Sequence, residues 1–447
     1  MPQHHLLDWI VLLLYLFLLF YLAYRSHKSF DHQKVTLKEK YLANNSLTFS
    51  ESLFSIIATE VSALTFLGIP AFSFSKDYSF IQIYMGATIG RLIIAKLFLP
   101  QIYGKGLTVY EVMGKNHSSQ TNVHGRKSIA VFYLFSKIFS VGVRLYSGSI
   151  LVSEFLGFHP YLGLLIVTSL TFIYTLLGGL KAVVRTDILQ TLLFVAGGVI
   201  AHVLIPQTSG QSWFELMSIA YDGGKMTFFS WENPLPFIIG ILGGILFDMS
   251  THGVDQDFAQ RLTANKNLMS GQRAIFLSSF FSIGVGLLFL SVGSLLWAYF
   301  KESGLPPEVS SADHLFAYFI THYFPVGIKG LMVAGVLAAT MSTLDSTINA
   351  LCATLYNDIF IKRNPKDLKL YAFKDNFFIS SLLLLVAILA SHHKGLLMFG
   401  LKIQSWTGGP LLALFLTRIF FRKKFTYSFN SLNILGSYVF GAMGVYL

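Results

Sequence analysis

The chain has 447 residues, 53% of them hydrophobic and only 12% charged, and its mean hydropathy is +0.60. That balance excludes a water-soluble enzyme or binding domain and reads as an all-α polytopic membrane protein. A lone cysteine, Cys352, excludes a disulfide framework and a cysteine-held metal cluster, and the net charge of +11 does not signal nucleic acid, because the basic residues gather in alternate loops.

Apolar segments long enough to cross a bilayer at ~20 residues each lie near 6–24, 48–75, 78–100, 128–156, 160–178, 183–206, 234–252, 272–300, 326–357, 376–392, 395–421 and 429–447. The first lacks a basic region before it and a small-residue cleavage site after it, so it is expected to be a retained helix rather than a signal peptide. Loop 25–47 carries Arg25, Lys28, Lys34, Lys38 and Lys40, and loop 101–127 carries Lys105, Lys115, Arg126 and Lys127. Every second later loop repeats this, whereas 76–77, 157–159, 207–231, 301–325 and 393–394 are poor in Lys and Arg. This positive-inside alternation predicts about twelve spans with the N-terminus outside.

Two spans are interrupted. In the second, Glu60, Ser62 and Thr65 break the apolar run and Gly68 and Pro70 follow; in the seventh, Gly240, Gly243 and Gly244 precede Asp248, Ser250, Thr251, His252 and Gly253. Polar, Gly/Pro-broken spans five apart point to an inverted five-plus-five repeat with a site at mid-membrane. The units are then 1–47 (a flanking helix and cytoplasmic loop), 48–206 (first repeat), 207–233 (external loop), 234–424 (second repeat) and 425–447 (a C-terminal flanking helix). Packing through Gly240-x-x-x-Gly244 accounts for the glycines but not for Glu60 or Asp248.

The ninth span carries Ala339, Ser342 and Ser346 on one helical face, with Thr343, Asp345 and Asn349 close to it. Hydroxyls and a carboxylate at bilayer depth must face a partner or a cavity, and a small hard cation wants several such oxygens. The plain alternative is that Ser and Thr bond their own helix carbonyls. Arg144 is the other oddity, a guanidinium mid-way along the fourth span. It needs an anionic ligand or an internal partner, with Glu60 and Asp248 as the acids to consider. Lys137 is expected to snorkel or pair, and His252 to line a polar cavity wall.

Three segments carry a resemblance to a known family. Gly178-Gly179-Leu180-Lys181-Ala182-Val183-Val184-Arg185-Thr186-Asp187-Ile188-Leu189-Gln190 resembles the central signature of the sodium:solute symporter family. Asp255-Gln256-Asp257-Phe258-Ala259-Gln260-Arg261-Leu262-Thr263-Ala264 resembles its loop after the seventh span, and Ala338-Ala339-Thr340-Met341-Ser342-Thr343 its sodium-binding helix. The resemblance covers about Tyr41 to Thr417 and implies a LeuT-type fold with flanking helices. It also implies a principal Na+ site formed by the carbonyls of Ala58, Val61 and Ala339 and the hydroxyls of Ser342 and Thr343. A second site, as in sialic-acid symporters, would use Asp187, Ser342, Asp345 and Ser346, with Asp345 standing where a serine is common. Ser62 and Thr65 match pocket positions, Glu60 lies nearby and Asp248 falls on another. Sodium–galactose relatives have an acid and an amide where this chain has Leu64 and Thr65. The pattern therefore looks closer to sialic-acid, monocarboxylate and vitamin transporters.

The expected activity is sodium-coupled import of a small organic solute, an organic anion, by alternating access across a plasma membrane, here a bacterial inner membrane. A sugar, inositol or amino-acid symporter and a transporter-like sensor stay open as alternatives. No Gly-x-Ser-x-Gly, His-Glu-x-x-His or phosphate-binding Gly-x-x-x-x-Gly-Lys-Ser/Thr motif occurs, so neither a membrane-embedded hydrolase nor an ATP-driven pump is expected.

Overall fold

The structure, a computed structural model, describes residues 6–28, 36–114, 123–177, 180–229, 231, 236–302, 304–309, 311–361, 368–393 and 395–420. The expected last span at 429–447 and flanking unit at 425–447 lie outside the described residues, as do Gly178 and Gly179 of the signature and the basic residues Lys34, Lys115, Lys362, Arg363, Lys366, Arg422, Lys423 and Lys424.

The described chain is helical from end to end. In order the helices are α1 (Leu6–Lys28), α2 (Leu37–Leu42), α3 (Phe49–Glu60), α4 (Ile69–Ser75), α5 (Ile81–Ile93), α6 (Leu99–Ile102), α7 (Val109–Gly114), α8 (Val123–Leu156), α9 (Pro160–Leu177) and α10 (Leu180–Ser209). After them come α11 (Trp213–Asp222), α12 (Phe237–Asp248), α13 (Gln256–Thr263), α14 (Leu268–Phe300), α15 (Ala312–Tyr323), α16 (Ile328–Thr354), α17 (Leu368–Ala390) and α18 (Leu396–Phe420). Among the described residues, 7 helices are long and apolar enough to span a bilayer, or 9 when each bent pair counts as one span.

Both interrupted spans are broken as the sequence implies. A capping box starts α3: Glu51 N–H donates to Thr48 Oγ1 at 3.3 Å, and Thr48 N–H to Glu51 Oε2 at 2.9 Å. The helix stops at Val61, whose backbone is extended (φ −75°, ψ 108°), and the chain resumes as a π-helical turn, Leu64–Gly68, before Pro70 opens α4. The two halves meet at 57°. Phe66, on that turn, packs at 5.1–5.5 Å against Phe194, Phe289 and Phe316, which holds the break in a rigid aromatic cluster. In the seventh span α12 passes into a π-helical turn, Met249–Gly253, and α13 then leaves at 64°, capped by Asp255 accepting from Asp257 N–H.

The helix α16 is the axis of the bundle. In its apolar window 94% of residues are buried, against 28% for α1, so α16 faces protein all round while α1 keeps most of its surface for lipid. It packs on α10, α8 and α1 and reaches α3 at the break. Glycine permits the closest crossing, α5 on α12: a Cβ at Gly86 would strike the Ile241 carbonyl, and one at Gly244 the Ile83 carbonyl. The segment 207–233, expected as a plain loop, contains α11 with a Ser212/Glu215 capping box, and the loop 301–325 contains α15.

Candidate functional site

The break in α3 changes where its carbonyls find donors. Ser62 N–H, which would bond Ala58 O in a continuous helix, donates instead to Thr65 Oγ1 at 3.3 Å. Ala58 O is left facing α16, where Ser342 Oγ approaches it at 3.1 Å. The same hydroxyl lies 2.7 Å from Asp187 Oδ1 on α10. One proton cannot satisfy two acceptors, so this buried spot holds surplus oxygen lone pairs, the condition that suits a hard cation. Thr343 Oγ1 donates to Ala339 O at 3.0 Å, one turn back on its own helix, as the plain reading has it; Ser342 does not. The structure thus brings Ala58, Val61, Ala339, Ser342 and Thr343 to the junction of the α3 break and α16.

Of the second constellation, Asp187 is fully buried and also accepts from Ser55 Oγ at 2.5 Å, and Asp345 accepts from Ser346 Oγ at 3.2 Å. The guanidinium of Arg261 lies between these halves: its Nε donates to Ser55 Oγ at 2.8 Å, its Nη2 bonds Ser346 Oγ, and Nη2 is 4.0 Å from Asp187 Oδ2. Arg261 is held in turn by Asp257 at 2.7 Å, which shares Lys137 with Asp255. Lys137 therefore pairs, at 2.7 and 3.1 Å, rather than snorkelling.

Beside the break lies a cavity of about 100 Å³, lined by Glu60, Ser62, Thr65, Arg144, Asp248 and His252 between apolar walls that include Phe80, Tyr84, Phe247 and Leu401. Ser62 and Arg144 also line, with Thr340 and Thr343 of α16, a packing gap too small to hold a water molecule. Ser62 and Arg144 thus stand between the cavity and α16.

Arg144 does not pair with Glu60 or Asp248. Both acids are taken by Arg91 of α5, at 2.6 Å from Glu60 Oε1 and 3.2 Å from Asp248 Oδ1. Arg91 is completely buried and also donates to Ser278 and Ser282 of α14 at 2.7 and 3.1 Å. His252 adds Nδ1 at 2.9 Å from Asp248 Oδ1. Arg144 makes no hydrogen bond or ion pair among the described residues, and its guanidinium lines the cavity. The sequence reading missed Arg91, although the signal was present: it is an arginine inside an apolar span, the oddity that singled out Arg144.

Two broken spans meeting at a buried oxygen cluster, beside an apolar-walled cavity with a few charged and hydroxyl groups, define a secondary transporter of the LeuT type. Comparison with known proteins agrees and narrows the class. The profile of the sodium:solute symporter family matches residues 41–428. The chain is 25% identical over 384 residues to the sodium/sialic acid symporter NanT of Aliivibrio fischeri, covering 83% of this chain and 75% of that one. It is 29% identical over 403 residues to the mouse sodium-coupled monocarboxylate transporter 1, covering 85% of this chain and 64% of the relative, so it spans less than two thirds of that protein's length. Its fold superposes on a substrate-bound, outward-open Na+-coupled sialic acid symporter with a TM-score of 0.84 at 21% identity, covering 99% of this chain and 96% of the other. The chain belongs to the sodium:solute symporter family, multi-pass membrane proteins in which solute movement is coupled to sodium.

Proposed function

We propose that the chain imports a small organic carboxylate together with Na+ by alternating access across a bacterial inner membrane, with about twelve spans and the N-terminus outside. The observation that carries the substrate class is Arg144: it lines the cavity without an internal acid, while the two acids that could have neutralised it are held by Arg91. A buried guanidinium without a partner is costly, and a carboxylate answers it with two parallel hydrogen bonds. Ser62, Thr65, Glu60 and Asp248 form the rest of the solute site.

Sodium binds at Ala58, Val61, Ala339, Ser342 and Thr343, and a second cation binds at Asp187, Asp345 and Ser346. Filling the first site ties the α3 break to α16, and solute then binds beside it through the shared Ser62 and Arg144 wall. The drive is sufficient: each inward charge gains roughly 2.3 kcal/mol per 100 mV, and a tenfold sodium gradient adds about 1.4 kcal/mol. The relatives named for sialic acid and for monocarboxylates support a carboxylate. The test is Arg144→Lys and Arg144→Gln in proteoliposomes with an inward sodium gradient. Lysine keeps the charge but loses the fork, so uptake of a carboxylate substrate weakens, and glutamine abolishes it. Full uptake in Arg144→Gln would remove Arg144 from the site.

A further inference from the structure

The size and lining of the cavity restrict what can accompany a carboxylate. Its volume is about 100 Å³. A closed apolar cavity of about 150 Å³ admits benzene, a body of about six non-hydrogen atoms. The walls here have little slack. Tyr84 of α5 presses on α14, where a Cβ on Gly286 would come within 2.7 Å of its ring. The same ring meets Phe80 at 5.7 Å, and Phe80 meets Phe72 at 5.3 Å. Leu397 of α18 rests on the break in the second span, where a Cβ on Gly68 would lie 3.1 Å from its Cβ. Leu64 closes the same seam, 3.1 Å from where a Cβ on Gly400 would stand. The cavity therefore cannot widen without separating packed helices.

The lining is also poor in uncommitted hydrogen-bonding groups. Among the described residues no Asn or Gln borders the cavity. Glu60 and Asp248 are held by Arg91, and Glu60 Oε2 also accepts from Ser282 Oγ at 2.7 Å. Thr251 Oγ1 donates to Phe247 O at 3.0 Å, and Thr65 Oγ1 accepts from Ser62 N–H at 3.3 Å. Most of the remaining surface is aliphatic or aromatic. A row of hydroxyls along the solute would lose its water there without gaining partners, whereas an alkyl chain is favoured by the same transfer. The direction of such a chain follows from the helix packing. Arg144 stands on α8, while α5 and α12 pack on each other and not along α8, so Tyr84 and Phe247 form the far wall.

Resting on the carboxylate reading above, we infer that the solute is a short-chain monocarboxylate with an apolar tail, and that Tyr84 sets the length of that tail. The carboxylate meets Arg144 and the tail runs toward α5, where the ring of Tyr84, backed by α14, stops it. Polyhydroxylated sugar acids and long-chain fatty acids are excluded, the first by the lining and both by the volume.

The experiment measures sodium-dependent binding to the purified full chain, read as thermal stabilisation, and uptake of labelled compounds into proteoliposomes. The series is acetate, propionate, butyrate, hexanoate and octanoate, with glycerate as a hydroxylated match for butyrate, N-acetylneuraminate as a sugar acid and butyramide as the neutral amide. Butyrate or propionate should bind at least tenfold more tightly than octanoate, glycerate and N-acetylneuraminate. In Tyr84→Ala, hexanoate should gain at least tenfold relative to butyrate. The wild-type series tests the inference by itself if the variant folds poorly. Octanoate or N-acetylneuraminate binding as tightly as butyrate overturns the size limit, and glycerate doing so overturns the apolar tail; both results leave the carboxylate reading standing. A folded Tyr84→Ala with the wild-type length limit overturns the role of Tyr84. If no acid of the series binds, the inference falls, and butyramide binding as tightly as butyrate removes the carboxylate reading with it.

Discussion

Replacing Arg91 with methionine tests the charge network that leaves Arg144 free. The guanidinium is completely buried, and its loss removes the ion pairs at 2.6 and 3.2 Å and the bonds to Ser278 and Ser282 at 2.7 and 3.1 Å. Breaking a buried pair by deleting one partner costs about 3–5 kcal/mol, because the remaining charge stays buried. Here two carboxylates are stranded. Glu60 retains 16% exposure to the cavity and keeps some hydration, whereas Asp248, at 3%, bears most of the penalty. Arg91→Met should therefore destabilise the protein by about 3–5 kcal/mol, measured as the shift of the unfolding curve in mixed micelles titrated with SDS. Arg91→Met combined with Glu60→Gln and Asp248→Asn removes all three charges and should recover most of that loss, while leaving solute binding impaired. Destabilisation by Arg91→Met of less than about 1 kcal/mol, the range of an exposed ion pair, would refute the network.

The remaining predictions concern the cations. Ser342→Ala with Thr343→Ala removes two of five expected sodium ligands and should raise the sodium concentration for half-maximal uptake at least tenfold while the helical content of the protein stays unchanged; an unaltered sodium dependence removes this site from the mechanism. Asp187→Asn and Asp345→Asn should each lower the Hill coefficient for sodium towards one. A wild-type coefficient of one with a single charge moved per cycle excludes the second cation.

The fold was legible where polarity interrupts apolarity. Both broken spans announced themselves, because Glu60 with Gly68 and Pro70, and Asp248 with Gly253, cannot continue a lipid-facing helix. The oxygen face of α16 was readable from helical spacing, and its burial followed from the expense of Asp345 in lipid. Partnerships were not legible. Sequence offers no distance between Arg144 and Glu60, and the true partner, Arg91, comes from a helix whose packing on α12 depends on Gly86 and Gly244. Arg261 likewise reads as part of a loop motif, and only the 64° bend after α12 carries it to Ser346 and Asp187. The helices α11 and α15 were missed because apolar length was the criterion, although the Ser212-x-x-Glu215 spacing is a start signal in its own right.

In the proposed function, sodium drives entry of a solute recognised by its carboxylate. The most direct measurement is initial uptake by wild-type protein in proteoliposomes of a transported acid and its neutral amide, each with and without an inward sodium gradient. Gradient-dependent accumulation of the acid and at least tenfold slower entry of the amide are expected. Equal entry of acid and amide, or accumulation of the acid that ignores the sodium gradient, would contradict it.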